Sequence, residues 1–292
     1  MRIPKVSVVL TTYNRAHLLG ATIESILSQS LEDFELIVCD DASQDATEQV
    51  GREYEKRDHR VRYRRGVRNL GMPGNLNAGI EASAAEYIAN LHDGDLYERT
   101  LLEKWSAALD TYPRAAFVFN AYRVTGADGS TVCIFREPLD PCVAGSDLLE
   151  RIFFRRWRFD SPVWGTVMGR RSAYRAVGLF DPRFGFVADV DMWLRLAEKF
   201  DVAYIPEPLI VLPSRQVLPS NWGDAHRLVL RRHIERMFWE ARMRHYEGSP
   251  ARRATEAVRH ITFIAATRAM QAAFAVNRRR RQMQRLVQPV AD

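Results

Sequence analysis

The stretch Val6-Ser7-Val8-Val9-Leu10-Thr11-Thr12-Tyr13-Asn14-Arg15 decides how this chain reads, because an apolar, β-branched run stops abruptly in a polar patch. A short apolar run without alternation fits a buried strand, expected here over Lys5–Thr11. Leu18, Leu19, Ile23, Ile26 and Leu27 then recur at helical spacing over 16–29. The same unit repeats outward. Strands are expected at Phe34–Val38, Val61–Tyr63, Tyr87–Leu91 and Ala116–Asn120, with helices at Asp45–Tyr54, Asn75–Ala82 and Leu101–Leu109. Strands alternating with helices in short units predict an α/β fold with a mostly parallel, doubly wound sheet.

In such sheets, ligands bind in the crevice at the carboxyl ends of the strands. Three strand ends carry polar clusters: Thr11-Thr12-Tyr13-Asn14, Asp40-Asp41 and His92-Asp93-Gly94-Asp95. Past Val124 the pattern changes to a hairpin around Asp128-Gly129 and a helix from about Ser146. A second block, Val163 to Leu212, adds strand-like Thr166-Val167-Met168, a helix from Asp189 to Lys199 and the strand Val202–Ile205.

The chain has 292 residues, 47% of them hydrophobic and 27% charged, with a net charge of +6. These are globular averages, so wholesale disorder is excluded. No apolar run approaches the roughly 20 residues of a membrane helix, and the start runs directly into a strand pattern, with no expected signal peptide. Cys39, Cys133 and Cys142 lack CxxC spacing, which argues against a zinc ribbon or a disulfide framework and for a cytoplasmic setting. The charge is uneven. Residues 224–292 hold fifteen Arg against six acids, or +9, which leaves −3 for residues 1–223. A catalytic domain over 1–223 and a basic helical extension over 224–292 are therefore expected.

Asp93-Gly94-Asp95 sets two carboxylates one residue apart after a strand, with a glycine that permits a tight bend. Both can aim at one hard cation, and Mg²⁺ or Mn²⁺ is typically held by one or two carboxylates plus phosphate oxygens. An Asp-Gly turn with a helix cap is the structural reading of the same residues. One carboxylate of Asp40-Asp41 can accept from a base imide or a ribose hydroxyl, or can close a turn with Ser43. Asn69, Gly71, Asn75, Asn77 and Gly79 form a polar, Gly-bearing loop whose amides can approach a ligand. Neither GxGxxG nor GxxxxGK[ST] occurs, so dinucleotide and P-loop readings lose their fingerprints. Asp189 and Asp191 open a helix, where the dipole favours carboxylates and a general base beside an acceptor hydroxyl is also possible.

Taken in order, Val6–Arg15, Phe34–Ser43, Asn69-Leu70-Gly71, Asn77–Ile80, Ala85–Ile88, Asp93-Gly94-Asp95, Gly178–Asp181 and Asp189–Leu196 resemble the family 2 glycosyltransferases of the GT-A fold. The resemblance covers about residues 4–212. It implies inverting transfer of a sugar from a nucleotide diphosphate donor, most often UDP-linked, to a hydroxyl acceptor such as a saccharide or lipid-linked glycan. By the same resemblance Thr11, Tyr13 and Asp41, with Asp40 adjacent, hold base and ribose. Asp93 meets ribose and metal, and Asp95 the metal that bridges the diphosphate, Mn²⁺ or Mg²⁺. Asp189 is the base, ionised at working pH with an ordinary carboxylate pKa. Asp191 and Trp193 shape the acceptor site and helix.

The chain departs from the family pattern at several places. Ala188 replaces the Glu before the base, Leu91-His92 stand where an apolar residue and Asp are usual, and Asn75-Leu76-Asn77 lacks an Arg that touches diphosphate. Arg65 or Arg68 is the candidate substitute, with Arg68 placed at the nucleotide. No His lies in Leu212–Val217. These losses leave an alternative reading as a catalytically degenerate scaffold or membrane-associated module. Phe153–Arg158 interleaves aromatics with arginines, which suits a helix end or an anionic acceptor. In the tail, Leu230, Ile234, Met237, Phe238 and Ala241, and then Val258, Ile261, Ala265 and Ala272, suit two helices broken near Gly248-Ser249-Pro250. Those helices pack on the domain or a partner chain, or their Arg-rich faces meet the inner face of a membrane. No nucleic-acid recognition module is visible.

Overall fold

The computed structural model describes residues 2–154, 163, 165–213, 224–262, 264 and 265, with the side chains of 154 and 224–233 left aside. Most of Phe153–Arg158, Ser214–Val217 and Ala272, together with the side chain of Leu230, lie outside the described residues. Two units are present, Met1–Ile234 and Glu235–Asp292.

The first unit carries one sheet. Its strands are β1 (Val6–Thr12), β2 (Phe34–Asp40), β3 (Val61–Arg65), β4 (Tyr87–His92), β5 (Leu96–Tyr97), β6 (Ala115–Thr125), β7 (Thr131–Phe135), β8 (Cys142–Val143), β9 (Val167–Arg170) and β10 (Asp201–Pro213). The helices are α1 (Ala16–Leu27), α2 (Thr47–Arg57), α3 (Gly71–Ala82), α4 (Leu101–Thr111), α5 (Gly145–Phe154), α6 (Arg171–Val177), α7 (Ala188–Ala197) and α8 (Asp224–His245). A 3-10 segment, Pro182–Val187, leads into α7.

The strand order is β3-β2-β1-β4-β9-β6-β10-β5, with β7 on β6 and β8 on β10. All seven residues of β1 are buried, as expected of a central strand covered on both faces. β1 pairs in parallel with β2 and β4, β2 with β3, and β6 with β10. β9 runs antiparallel to both β4 and β6, so the sheet is mixed at its centre. β9 leads at once into α6.

On α1, Leu19, Thr22, Ile23 and Ile26 form the buried stripe. Helix α3 lies much closer to the sheet. A Cβ on its Gly79 would stand 2.3 Å from Val9 Cγ1 and 2.8 Å from Cys39 Sγ, so only glycine fits. Trp105 on α4 is fully buried and donates Nε1–H to Asn120 Oδ1 at 3.0 Å, which satisfies its one polar atom. In the second unit the end of α8 and a helix over 250–262 meet through Trp239, stacked on His260 with centroids 4.5 Å apart, and through Arg242 and Glu256 at 3.4 Å.

Candidate active site at the strand ends

Parallel pairing brings the polar strand ends side by side: Thr12 stands opposite Asp40 and Thr11 opposite His92. Thr12 Oγ1 donates to Asp93 Oδ2 at 2.7 Å, tying the first cluster to the third. The backbone N of Asn14 donates to Ser43 Oγ at 2.8 Å, and its Oδ1 accepts from Gln44 N at 2.7 Å, tying the first to the second. Asn14 takes a positive φ of 53°, tolerable for Asn and enforced by these two bonds. Tyr13 stands 44% exposed beside this knot.

Asp40 and Asp41 part company. Asp40 is wholly buried: one oxygen accepts from Ser43 N at 3.0 Å and from the Ser43 hydroxyl, the other from the Tyr63 hydroxyl. Its place is beneath the crevice, holding the Asp40–Ser43 turn. Asp41 accepts from Leu70 N at 2.7 Å, while its own N–H donates to Thr12 O at 3.0 Å. Burial raises its carboxyl above the usual range, and the Leu70 and Gly71 amides partly counter this. Arg65 and Arg68 are both exposed, but Arg65 is engaged by its neighbours, donating to Ser43 O at 2.7 Å and lying 3.3 Å from Glu48, while Arg68 stands on the loop before α3. Asn75 donates to Cys39 O at 2.7 Å, so it braces α3 rather than lining the crevice.

The Asp93–Asp95 turn is built around Gly94, whose φ of 90° favours glycine. Thr22 on α1 clamps it: Gly94 N donates to Thr22 Oγ1 at 2.9 Å, and Thr22 Oγ1 donates to Asp95 O at 3.0 Å. Tyr97 holds the preceding residue, its hydroxyl accepting from His92 N and donating to His92 O, both at 2.9 Å. Asp95 is 2% exposed. Burial raises the Asp93 carboxyl, opposed by the Thr12 hydroxyl and the charge of Arg15. Among the described residues no group of three or more His, Cys, Asp or Glu is arranged to hold a metal. Two carboxylates on one turn suit a hard cation that takes its remaining ligands from phosphate and water, as Mg²⁺ and Mn²⁺ do.

Asp189 stands in the first turn of α7, its Oδ1 accepting from Val190 N at 2.8 Å. It keeps some exposed surface, in a recess beside Gly165 and His92. Burial pushes its carboxyl up to about 6, above the ordinary value expected from sequence, so it still ionises at neutral pH. His92 is similarly enclosed, and burial lowers its imidazole to about 4. Asp191 is 3% exposed and pairs with Arg195 at 2.8 Å; Arg195 in turn donates to the carbonyls of Val177, Gly178 and Leu179. Trp193, 1% exposed, packs between Phe117 and Phe180 with centroids 5.2 and 5.8 Å away. Both residues therefore set the seat of α7 from its inner side.

Thr22 and Tyr97 escape the sequence reading. A threonine within the apolar stripe of α1 and a tyrosine two residues past the carboxylates were the available signals.

The family described as Glycosyl transferase family 2 matches residues 7–178. The chain is 31% identical over 206 residues to the putative glycosyltransferase EpsE of Bacillus subtilis (strain 168), covering 67% of this chain and 68% of that one. It is 26% identical over 242 residues to the putative teichuronic acid biosynthesis glycosyltransferase TuaG of the same organism, covering 80% and 90%. Among solved structures, S. aureus TarS 1-349 in complex with UDP superposes with a TM-score of 0.60 at 17% identity, covering 85% of this chain and 73% of that one. The mannosyltransferase PcManGT from Pyrobaculum calidifontis in complex with GDP-Man and Mn²⁺ gives 0.57 at 18%, covering 94% and 81%. At these identities the structural likeness is one of fold, that of the GT-A glycosyltransferases. With the family match spanning more than half of the chain, this protein belongs to the family 2 glycosyltransferases.

Proposed function

We propose that the crevice performs inverting, metal-dependent transfer of a sugar from a nucleotide diphosphate donor, UDP-linked in the first instance, to a hydroxyl acceptor. The observation that carries this reading is the joining of three strand ends, with Tyr13 exposed, Asp41 beside the Leu70-Gly71 amides and two carboxylates on the Gly94 turn. Thr11, Tyr13 and Asp41 take base and ribose, Asp40 holds their turn, and exposed Arg68 reaches the diphosphate. Asp93 and Asp95 would hold Mn²⁺ or Mg²⁺, which when bound offsets charge on the departing diphosphate. The acceptor oxygen attacks the anomeric carbon, the bond from that carbon to the diphosphate oxygen breaks, and the acceptor proton passes to the Asp189 carboxylate. One displacement of this kind inverts the anomeric centre. Asp191 and Trp193 act on the acceptor side by fixing α7.

Neighbours in complex with UDP and with GDP-Man and Mn²⁺ support the donor class and the cation, and a relative named for teichuronic acid biosynthesis supports a saccharide acceptor. The basic extension would then bring the enzyme to the inner face of a membrane. A thermal-shift screen of UDP-glucose, UDP-N-acetylglucosamine and GDP-mannose, with Mn²⁺ and with Mg²⁺, tests the donor reading. Ligand at 100 times its Kd adds about 2.7 kcal/mol of stability, so a binding donor raises Tm by several degrees. The metal-dependent part of that rise is expected to vanish in Asp95→Ala. Absence of nucleotide diphosphate binding in calorimetry, with and without Mn²⁺, would overturn the proposal.

A further inference from the structure

Gly165 lies two residues before β9, and its backbone meets two side chains brought from other elements. A Cβ on Gly165 would fall 2.6 Å from His92 Cε1, 3.3 Å from His92 Nε2 and 2.8 Å from Asp189 Oδ2. Real Cβ contacts essentially never come under 3.0 Å, so the glycine is what leaves room for both groups. The same distances gather the imidazole edge of His92 and one oxygen of Asp189 around a single point. Oδ1 of Asp189 is pinned by the Val190 amide, and the His92 backbone is fixed at both its N–H and its carbonyl by the Tyr97 hydroxyl. Strand pairing adds a further constraint on His92, opposite Thr11 in the central strand.

We propose that Gly165 and His92 are positioning residues that seat the Asp189 carboxylate, Gly165 by leaving the space and His92 by bounding it. This rests on the reading of Asp189 as the base. Ala188 just before Asp189 brings no second carboxylate, and the side chain that meets Asp189 at Gly165 is that of His92. His92 comes from the strand that leads into Asp93 and Asp95, which ties the position of the base to the turn proposed for the cation.

The test uses the full chain and donor hydrolysis with water as acceptor, measured as nucleotide release from the three nucleotide sugars above in Mn²⁺. A displacement of the base by about 1 Å costs on the order of 100-fold in turnover. Gly165→Ala and His92→Ala are therefore expected to lower kcat about 100-fold while leaving the donor KM in place. His92→Gln, with an amide near the Nε2 position, is expected to recover most of the loss. Adding Gly165→Ala to Asp189→Asn should cost nothing further, because the two substitutions act on one group. If Gly165→Ala does not fold, the His92→Ala and His92→Gln pair carries the test. Independently of turnover, the His92 Cε1–H resonance, identified by its loss in His92→Gln, is expected to move in Asp189→Asn. Wild-type kcat in both Gly165→Ala and His92→Ala overturns this inference alone, provided Asp189→Asn is impaired. An unmoved resonance likewise overturns it. Full turnover in Asp189→Asn would instead overturn the base assignment beneath it.

Discussion

As the proposed general base, Asp189 faces two demands that pull in opposite directions. A general base must lose its proton, and the recess that shapes this one favours keeping it. With its carboxyl raised to about 6, the reactive form grows in as pH rises through 6. The rate kcat/KM should accordingly climb on the acid side with an apparent pKa near 6 and level off above it, which a pH–rate profile of donor hydrolysis checks. His92, lowered to about 4, is neutral across that limb. The sign for stability is the reverse. A carboxyl whose pKa is higher folded than unfolded binds more protons in the native state, so its contribution to stability falls as pH rises from about 4 to about 6. Asp189→Asn removes that burden. At pH 7 it is expected to be more stable than the wild type, by at most about 3 kcal/mol at 1.36 kcal/mol per pKa unit, and so to unfold at higher temperature. Turnover in the same variant should drop by 10²–10⁴, the range typical of a lost general base. A less stable Asp189→Asn would show that the recess does not destabilise the carboxylate.

Helix α3 shows the same logic at the level of an element. In an exposed helix, Gly→Ala gains up to about 1 kcal/mol. At Gly79 the added carbon would sit 2.3 Å from Val9 Cγ1, and overpacking of this kind typically costs about 1–3 kcal/mol. Gly79→Ala should therefore lower the denaturant midpoint, and because Leu70 N before α3 holds Asp41, UDP affinity should fall with it. The elements were largely legible because apolar periodicity is a local property: the run from Val6 shows as a buried strand and Leu19, Ile23 and Ile26 as a helix face without any knowledge of neighbours. The polar ends of β1, β2 and β4 were legible for the same reason. The direction of β9 was not, since Thr166-Val167-Met168 carries no mark of which way it enters a sheet. Nor was the division between Asp40 and Asp41, which depends on Tyr63 and Ser43 closing on one of them. The family resemblance puts Asp191 and Trp193 at the acceptor site and helix, and in the structure both are buried on α7. Gly165 carries no local signal, because its meaning lies in two groups that arrive from β4 and α7.

Across the whole molecule, charge is divided by position. Helix 250–262 in the second unit leaves Val258 and Ile261 exposed at 64% and 66%, on a segment rich in arginine. Apolar residues flanked by arginines suit binding to an anionic bilayer, each basic residue near the surface contributing about 1 kcal/mol. The full chain should sediment with phosphatidylserine-containing vesicles at low salt, less at high salt, and little when Val258→Asp and Ile261→Asp are combined. Undiminished sedimentation of that double variant would assign these residues to another purpose. No helix of the described residues is long and apolar enough to cross a membrane.

The placement of β9 between β4 and β6 also sets a timetable. During synthesis, β1 to β4 can pair as soon as they emerge, but the outer edge of β4 has no partner until β9 is made about 75 residues later. At about 5–20 residues per second that edge waits for several seconds. For that interval the nascent protein presents an open, apolar strand, Tyr87–Leu91, to whatever else is folding nearby. Slowing the ribosome between Asp93 and Val167 should therefore raise the fraction of chains lost to aggregation, and hastening it should spare them.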